Sequence, residues 1–486
     1  MPNVAHERAA AGLNAQELAA FGLDRGDTLS WGEWFLRPDD RRPEAARLSR
    51  ETAVTGEFVP LRVIDATRVT VLATVSICFT DVPAIVECGS GDDVVIITAI
   101  EPTRLRAAAE PRRFLDRLAL SRTGSGRSIR SGTVGVGIVG YGPFGGMGYT
   151  HGLAATETPG LNFVAVCDSN AERLMAAQHD FPDVRGHTDT ASLCADPTVD
   201  VVIVATPPVL HAPLALQLLR AGKHVVVEKP MCLTAADADT LIAAADAAER
   251  TITVHQSRRW DGDYLALRRA IANGLLGEVF NMETFVGSFE HPCRWWHSDE
   301  ALSGGAVYDW GSHHIDWILQ IFGGPPDRVQ ATAHKRVWRD VSNADQITVQ
   351  MHWNDGREAR FVQSDVAAVR RAKFYVQGTG GTAAADYRPI VADNLVAGRG
   401  HVSSAWHHAE AAVDLRIGRY EPDLGVIEMV LPPVPREGWP FHRALADHLL
   451  LGEAVPVAPS ESRDVVAVLE DAHRSAANGG QVVERG

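Results

Sequence analysis

The chain has 486 residues, of which 45% are hydrophobic and 22% charged, with a formal net charge of −15. That is ordinary globular usage, which excludes global disorder, and at about 150 residues per domain it suggests roughly three modules. The balance of 46 basic against 61 acidic residues argues against a general nucleic-acid or anionic-membrane binder.

Six cysteines, Cys78, Cys88, Cys167, Cys194, Cys232 and Cys293, form no CxxC pair. They indicate neither a disulfide framework nor a zinc knuckle, and read as small buried hydrophobes in a reducing compartment. The N-terminus carries charges where a signal peptide needs an apolar core, and no apolar run reaches about 18 residues. The expected location is the cytoplasm, away from membranes.

In chain order, residues 5–23 are Ala-rich with helical spacing and predict a helix. A polar stretch follows. Residues 60–100 are β-branched and broken by turn residues such as Gly89 and Gly91, which predicts a small sheet or hairpins. A helix is expected over 103–120. SRTGSGRSIRSGT, residues 121–133, reads as a flexible linker. Residues 1–120 are therefore an extra N-terminal α+β module with no catalytic motif. Residues 134–255 alternate short apolar runs (VGVGIVG, LNFVAVCD, VDVVIVAT, KHVVVEKP, TITVH) with Ala-rich helical segments, the rhythm of a parallel sheet covered on both faces. Residues 256–486 turn helical, then strand-rich, then helical again, which predicts an α+β second half.

Gly140, Gly142 and Gly145 form GxGxxG directly after the strand VGVGIV. The first glycine suits a tight turn, the second a close approach of backbone to pyrophosphate, and the third close packing of helix on strand. Asp168 ends the second strand, where a carboxylate accepts hydrogen bonds from an adenosine ribose. A 2′-phosphate would meet like charge there, so NAD is preferred to NADP, although Arg173 weakens the preference.

Lys229 follows the buried run HVVV and would sit in the crevice at the C-terminal edge of the sheet. Only four lysines occur (Lys223, Lys229, Lys335 and Lys373), and lysine differs from arginine in a pKa that burial can tune. Asp309 and His313 are spaced i, i+4 in GGAVYDWGSHHIDWI, with Asp316 on the same side. A carboxylate near an imidazole orients it and raises its basicity, which suits proton transfer. One His and two Asp are too thin a set for a metal, and none is expected. Aromatic faces and hydrogen-bonding heads near this segment suit a polyhydroxylated ring, with Arg259, Trp260, Arg294, Trp296 and Tyr308 as candidate substrate contacts.

GIVGYGPFGG, VAVCDSNAERL, VIVATPPVLHAPLALQLLRAGKHVVVEKPMCLT and SGGAVYDWGSHHIDWI together resemble the glucose–fructose oxidoreductase / inositol dehydrogenase / rhizopine-catabolism (Gfo/Idh/MocA) family. The resemblance covers roughly residues 134–483. It implies an α/β Rossmann dinucleotide-binding domain and an α+β C-terminal domain with a large, mostly antiparallel sheet. That sheet would carry homo-oligomer contacts in a dimer or tetramer. Lys229 would bind the reacting hydroxyl, His313 would be the acid/base, and Asp309 its partner or a substrate ligand. Pro143, Phe144, Ser169, Thr206, Pro207, His211 and Glu228 would join Gly140, Gly142, Gly145, Asp168, Arg173 and Lys229 around the cofactor. The implied function is NAD-dependent oxidation or reduction of a sugar, cyclitol or similar polyol. A redox-neutral epimerase or glycosidase with retained NAD is the second reading, and a non-catalytic dinucleotide sensor the third. Three departures stand out: extra glycines at 146 and 148 before His151, Pro208 after Thr206-Pro207, and the added N-terminal module.

Overall fold

The computed structural model describes residues 6–25, 29–38, 52–77, 80–90, 93–101, 104, 133–142, 146–293, 295–387, 390–396, 400–406, 413–435 and 437–485. The expected helix over 103–120 and the linker over 121–133 lie outside the described residues, apart from Arg104 and Thr133. The chain forms two compact units. One gathers Met1–Thr133 with Pro159–Leu161 and Ala446–Glu453, and the other holds the remainder.

The first unit contains a six-stranded sheet in the order His6–Ala9, Asp93–Thr98, Thr80–Ser90, Val69–Ile77, Leu29–Pro38, Thr52–Phe58. Its first pair is parallel and the rest are antiparallel. Leu18, Phe58, Leu72, Ile85 and Ile97 are among the residues of its own buried core. The β-branched stretch over 60–100 thus forms strands. The helix expected over 5–23 shrinks to Ala15–Ala20. Asn14 starts it with a capping box, accepting from Glu17 N–H while the Glu17 carboxylate accepts from Asn14 N–H. The residues before that cap pair along a strand instead, a tertiary gain that overrides alanine's helix preference.

In the second unit, six strands form one sheet: β1 (Val134–Val139), β2 (Leu161–Cys167), β3 (Arg185–His187), β4 (Val201–Val204), β5 (His224–Glu228) and β6 (Ile252–His255). Their order is β3-β2-β1-β4-β5-β6. The pairings β2–β3, β1–β4, β4–β5 and β5–β6 are all parallel. The order reverses at β1, which opens a crevice at the C-terminal ends of β1 and β4. Every residue of β1, β4 and β6 is buried, as a sheet covered on both faces requires. Connecting helices begin at side-chain caps, including Asn170 before Ala171–Asp180 and Thr234 before Ala235–Ala247.

The second half builds a nine-stranded sheet around β7 (Val279–Gly287). Neighbours Glu358–Ser364 and Phe374–Gly378 flank it, the first parallel and the second antiparallel. All other pairings described in this sheet are antiparallel. The helices Gly311–Phe322 and Pro459–Ala477 pack in its core through Ile315, Ile318, Val465 and Leu469. Among the described residues no helix is long and apolar enough to cross a membrane.

Candidate active site

The cofactor turn follows β1. Gly140 has φ +88°, and a Cβ there would lie 2.8 Å from Ala205 O and 2.9 Å from Thr206 Cγ2. Only glycine fits both the left-handed backbone and the contact with the turn after β4. Gly142 has φ +74° with nothing within 4 Å of a notional Cβ, so the turn faces open space. Pro143, Phe144 and Gly145 lie outside the described residues. Close packing of the next helix, Met147–Glu157, is provided by Gly148, where a Cβ would come within 2.4 Å of Tyr141 O. Gly148, one of the extra glycines, thus lets this helix approach the glycine turn closely.

Asp168 is buried at the end of β2. Its Oδ2 accepts from Tyr141 N–H (3.0 Å) and its Oδ1 from Asn170 N–H (2.9 Å), which ties the ribose-side carboxylate to the glycine turn. Ser169 beside it is exposed. Arg173 brings its guanidinium 3.8 Å from Asp168. Across the crevice, the Thr206 hydroxyl is buried without a partner among the described residues. An open glycine cradle, a carboxylate at the β2 end and an orphaned hydroxyl fit a dinucleotide. Pro207 precedes the short helical turn Pro208–Leu210.

Two residues expected at the cofactor have protein partners. His211 is buried with Nδ1 2.7 Å from Pro230 O and Nε2 2.8 Å from Thr206 O, so it braces the two cofactor-side loops. Glu228 is buried at the end of β5 and accepts from two imidazoles through Oε1, His151 Nε2 (2.8 Å) and His255 Nδ1 (2.7 Å). Its Oε2 accepts from Lys229 N–H at 3.1 Å. Burial raises the Glu228 carboxyl, yet the two histidines outweigh it and hold the group well below the usual range.

Lys229 Nζ lies 2.7 Å from Asp309 Oδ1 and also donates to Asp309 O at 3.1 Å. Burial raises the Asp309 carboxyl, but the lysine's charge and hydrogen bond bring it below its ordinary value. The pairing of Asp309 with His313 expected from i, i+4 spacing is not what forms. One helix ends at Asp309 and the next begins at Gly311, and the carboxylate meets the lysine. His313 is buried, its Nδ1 has no partner among the described residues, and its pKa is pushed well down. Burial is the main cause, followed by the positive charges of Lys229 and Arg258. It stands as a neutral base, contrary to the raised basicity the spacing suggested.

The substrate candidates divide. Arg259 is buried and committed: Nε donates to Asp316 Oδ2 (2.8 Å), Nη2 to Asp316 Oδ1 (2.5 Å) and Nη1 to Glu461 (2.6 Å). It is a structural clamp, and Asp316 serves it rather than His313. Tyr308 is buried and donates its hydroxyl to Leu233 O at 2.7 Å, so it too is structural. Trp260 packs edge-on to Phe441, with centroids 6.0 Å apart. Trp296 is half-buried and stacks on His297 at 3.7 Å. Arg294 lies outside the described residues.

Sequence reasoning missed two groups. His297 is near enough to feel both Asp309 and Lys229, and burial holds its pKa down. Asp365 follows the strand Glu358–Ser364, and its carboxyl is pushed up to about 7 by burial, then by Asp309 and Asp345. Neither has a sequence signature: His297 sits in the short helical turn Trp296–Ser298 and Asp365 just past a strand end.

Such a fold and site define a dinucleotide-binding oxidoreductase architecture: a Rossmann domain whose cofactor crevice meets a lysine–carboxylate pair. Residues 134–256 match the model of an oxidoreductase family with an NAD-binding Rossmann fold, and residues 264–384 match the GFO/IDH/MocA C-terminal domain. The chain belongs to the Gfo/Idh/MocA family of oxidoreductases. It is 28% identical over 348 residues to the scyllo-inositol 2-dehydrogenase (NADP(+)) IolW of Bacillus subtilis, covering 71% of this chain and 94% of that protein. It is 27% identical over 232 residues to the 1,5-anhydro-D-fructose reductase of Ensifer adhaerens, covering 47% of this chain and 70% of that protein. Against several other curated relatives the match spans about half of their length. Among solved structures, GenD2 from gentamicin A biosynthesis in complex with NAD superposes with a TM-score of 0.59 at 26% identity, over 73% of this chain and 97% of that one.

Proposed function

We propose that this chain uses NAD(P) to oxidise a hydroxyl, or reduce a carbonyl, on a cyclitol, sugar or similar polyol. The Lys229–Asp309 pair, 2.7 Å apart, carries the reading. The dinucleotide, when bound against the Gly140 and Gly142 turn, supplies or accepts the hydride. A carbinol that gives up hydride must also lose its hydroxyl proton. Lys229 Nζ, held by Asp309, donates a hydrogen bond to the reacting oxygen. His313, held neutral by burial, takes the proton through a ring nitrogen. Two relatives acting on scyllo-inositol and 1,5-anhydrofructose support a polyol substrate.

Asp168 favours NAD, and Arg173 at 3.8 Å leaves room for NADP. Residues 1–120 form a separate module before the oxidoreductase body of 134–486. The edge of the nine-stranded sheet exposes Tyr420, Leu424, Val426 and Val430, which supports self-association through this face. A cytoplasmic location fits the five described cysteines, none of which forms a disulfide. The test is dinucleotide reduction by purified protein supplied with scyllo-inositol and a panel of cyclitols and sugars. Reduction with any of them supports the reading. Cofactor that copurifies without net reduction points to redox-neutral chemistry, and absence of dinucleotide binding overturns both.

A further inference from the structure

Around Glu228 three buried histidines converge. His151 comes from the helix after β1, His255 from the end of β6, and His442 from the helix Pro440–Leu451. Parallel pairing of β5 with β6 sets Glu228 directly opposite His255. His442 Nε2 lies 2.9 Å from His151 Nδ1. The rings of His151 and His255 are 4.6 Å apart, and those of His255 and His442 5.4 Å. One ring nitrogen from each histidine lies within 4.8 Å of the other two.

We propose that His151, His255 and His442 form a binding site for a divalent transition cation of the zinc class, with Glu228 hydrogen-bonded behind His151 and His255 and a water as the fourth ligand. Three atoms mutually within 4.8 Å lie at most about 2.8 Å from a common centre, and a zinc–imidazole bond is about 2.0–2.1 Å. Each ring therefore needs to move inward by less than about 1 Å. Glu228 Oε1 accepts from His151 Nε2 (2.8 Å) and His255 Nδ1 (2.7 Å), while His442 meets the opposite nitrogen of His151, so the carboxylate orients two of the ligands from behind. Three neutral imidazoles leave the ion its double positive charge, and the Glu228 carboxylate behind two of them offsets part of it. Phe441 packs edge-on to His255 at 4.8 Å and Trp439 to His442 at 6.0 Å, which gives the cluster an apolar jacket. Four polar side chains drawn from four separate segments into a dry interior cost desolvation, and a bound cation offsets that cost.

This site does not depend on the oxidoreductase reading, and its readout is metal itself. Chelator-treated full-length protein is titrated with Co²⁺, followed by visible absorption, and then with Zn²⁺. The expected result is one intense four-coordinate Co²⁺ spectrum per chain, displaced by Zn²⁺, with a raised thermal midpoint for the loaded protein. His442→Phe and His255→Phe, checked for folding by circular dichroism, should each weaken Co²⁺ binding by more than about 100-fold. Failure of the wild-type chain to bind one equivalent overturns the proposal, whatever the variants do. So does a spectrum unchanged in both variants, which would place the metal on other histidines.

Discussion

Asp309→Asn keeps the shape of the side chain and one acceptor, but removes the charge that holds Lys229. The bond it weakens is a charge-assisted one of 2.7 Å. Such bonds contribute about 1.5–3 kcal/mol. Both side chains keep some exposure, 20% for Lys229 and 30% for Asp309, so the lower part of that range applies. About 2 kcal/mol corresponds to roughly a 30-fold fall in kcat/KM, because a tenfold change is about 1.36 kcal/mol. Lys229→Met removes the donor itself and should cost about 10²–10⁴-fold. If Asp309 acts through Lys229, the double variant should be no slower than Lys229→Met alone, within about threefold. The assay is initial-rate dinucleotide reduction at subsaturating polyol. Wild-type rates in Asp309→Asn would refute the reasoning. So would a double variant whose losses multiply, since independent losses mean that the two groups do not act as a unit.

Two further variants probe the surroundings. Asp365, pushed up to about 7, keeps its proton when folded in a window where the unfolded chain, near 3.8, has lost it. The fold is therefore destabilised as pH rises from about 4 to 7, by at most about 4 kcal/mol. Asp365→Asn should flatten that slope in urea unfolding, gaining stability over wild type at pH 8 but not at pH 4, and equal effects at the two pH values would contradict it. Arg259→Met strands the buried Asp316 carboxylate and should cost about 3–5 kcal/mol of stability in the same experiment. A raised KM with unchanged stability would instead restore Arg259 to the substrate site.

The Rossmann half was legible in the residues because its signals are local. Buried β-branched runs, a glycine turn and an acid at a strand end each announce themselves within a few residues, and the order β3-β2-β1-β4-β5-β6 is the one such a chain adopts. Lys229 could be singled out for the same reason. Residues 5–23 show the limit of local reading, since pairing of His6–Ala9 with Asp93–Thr98 depends on residues almost ninety positions away.

Partners were what the sequence withheld. The i, i+4 spacing of Asp309 and His313 was visible, but a break at Trp310 and the arrival of Lys229 from β5 gave the carboxylate a different companion. Arg259 looked available until Asp316 and Glu461, 57 and 202 residues further on, closed on it. His442 carries no motif and joins His151 across 291 residues. Sequence alone determined the chemical groups and the strands that carry them, because propensity and hydrophobic period act over short stretches. Tertiary structure decided which charges neutralise one another, because burial makes an unpaired ion costly and only the folded chain reveals which opposite charge is near.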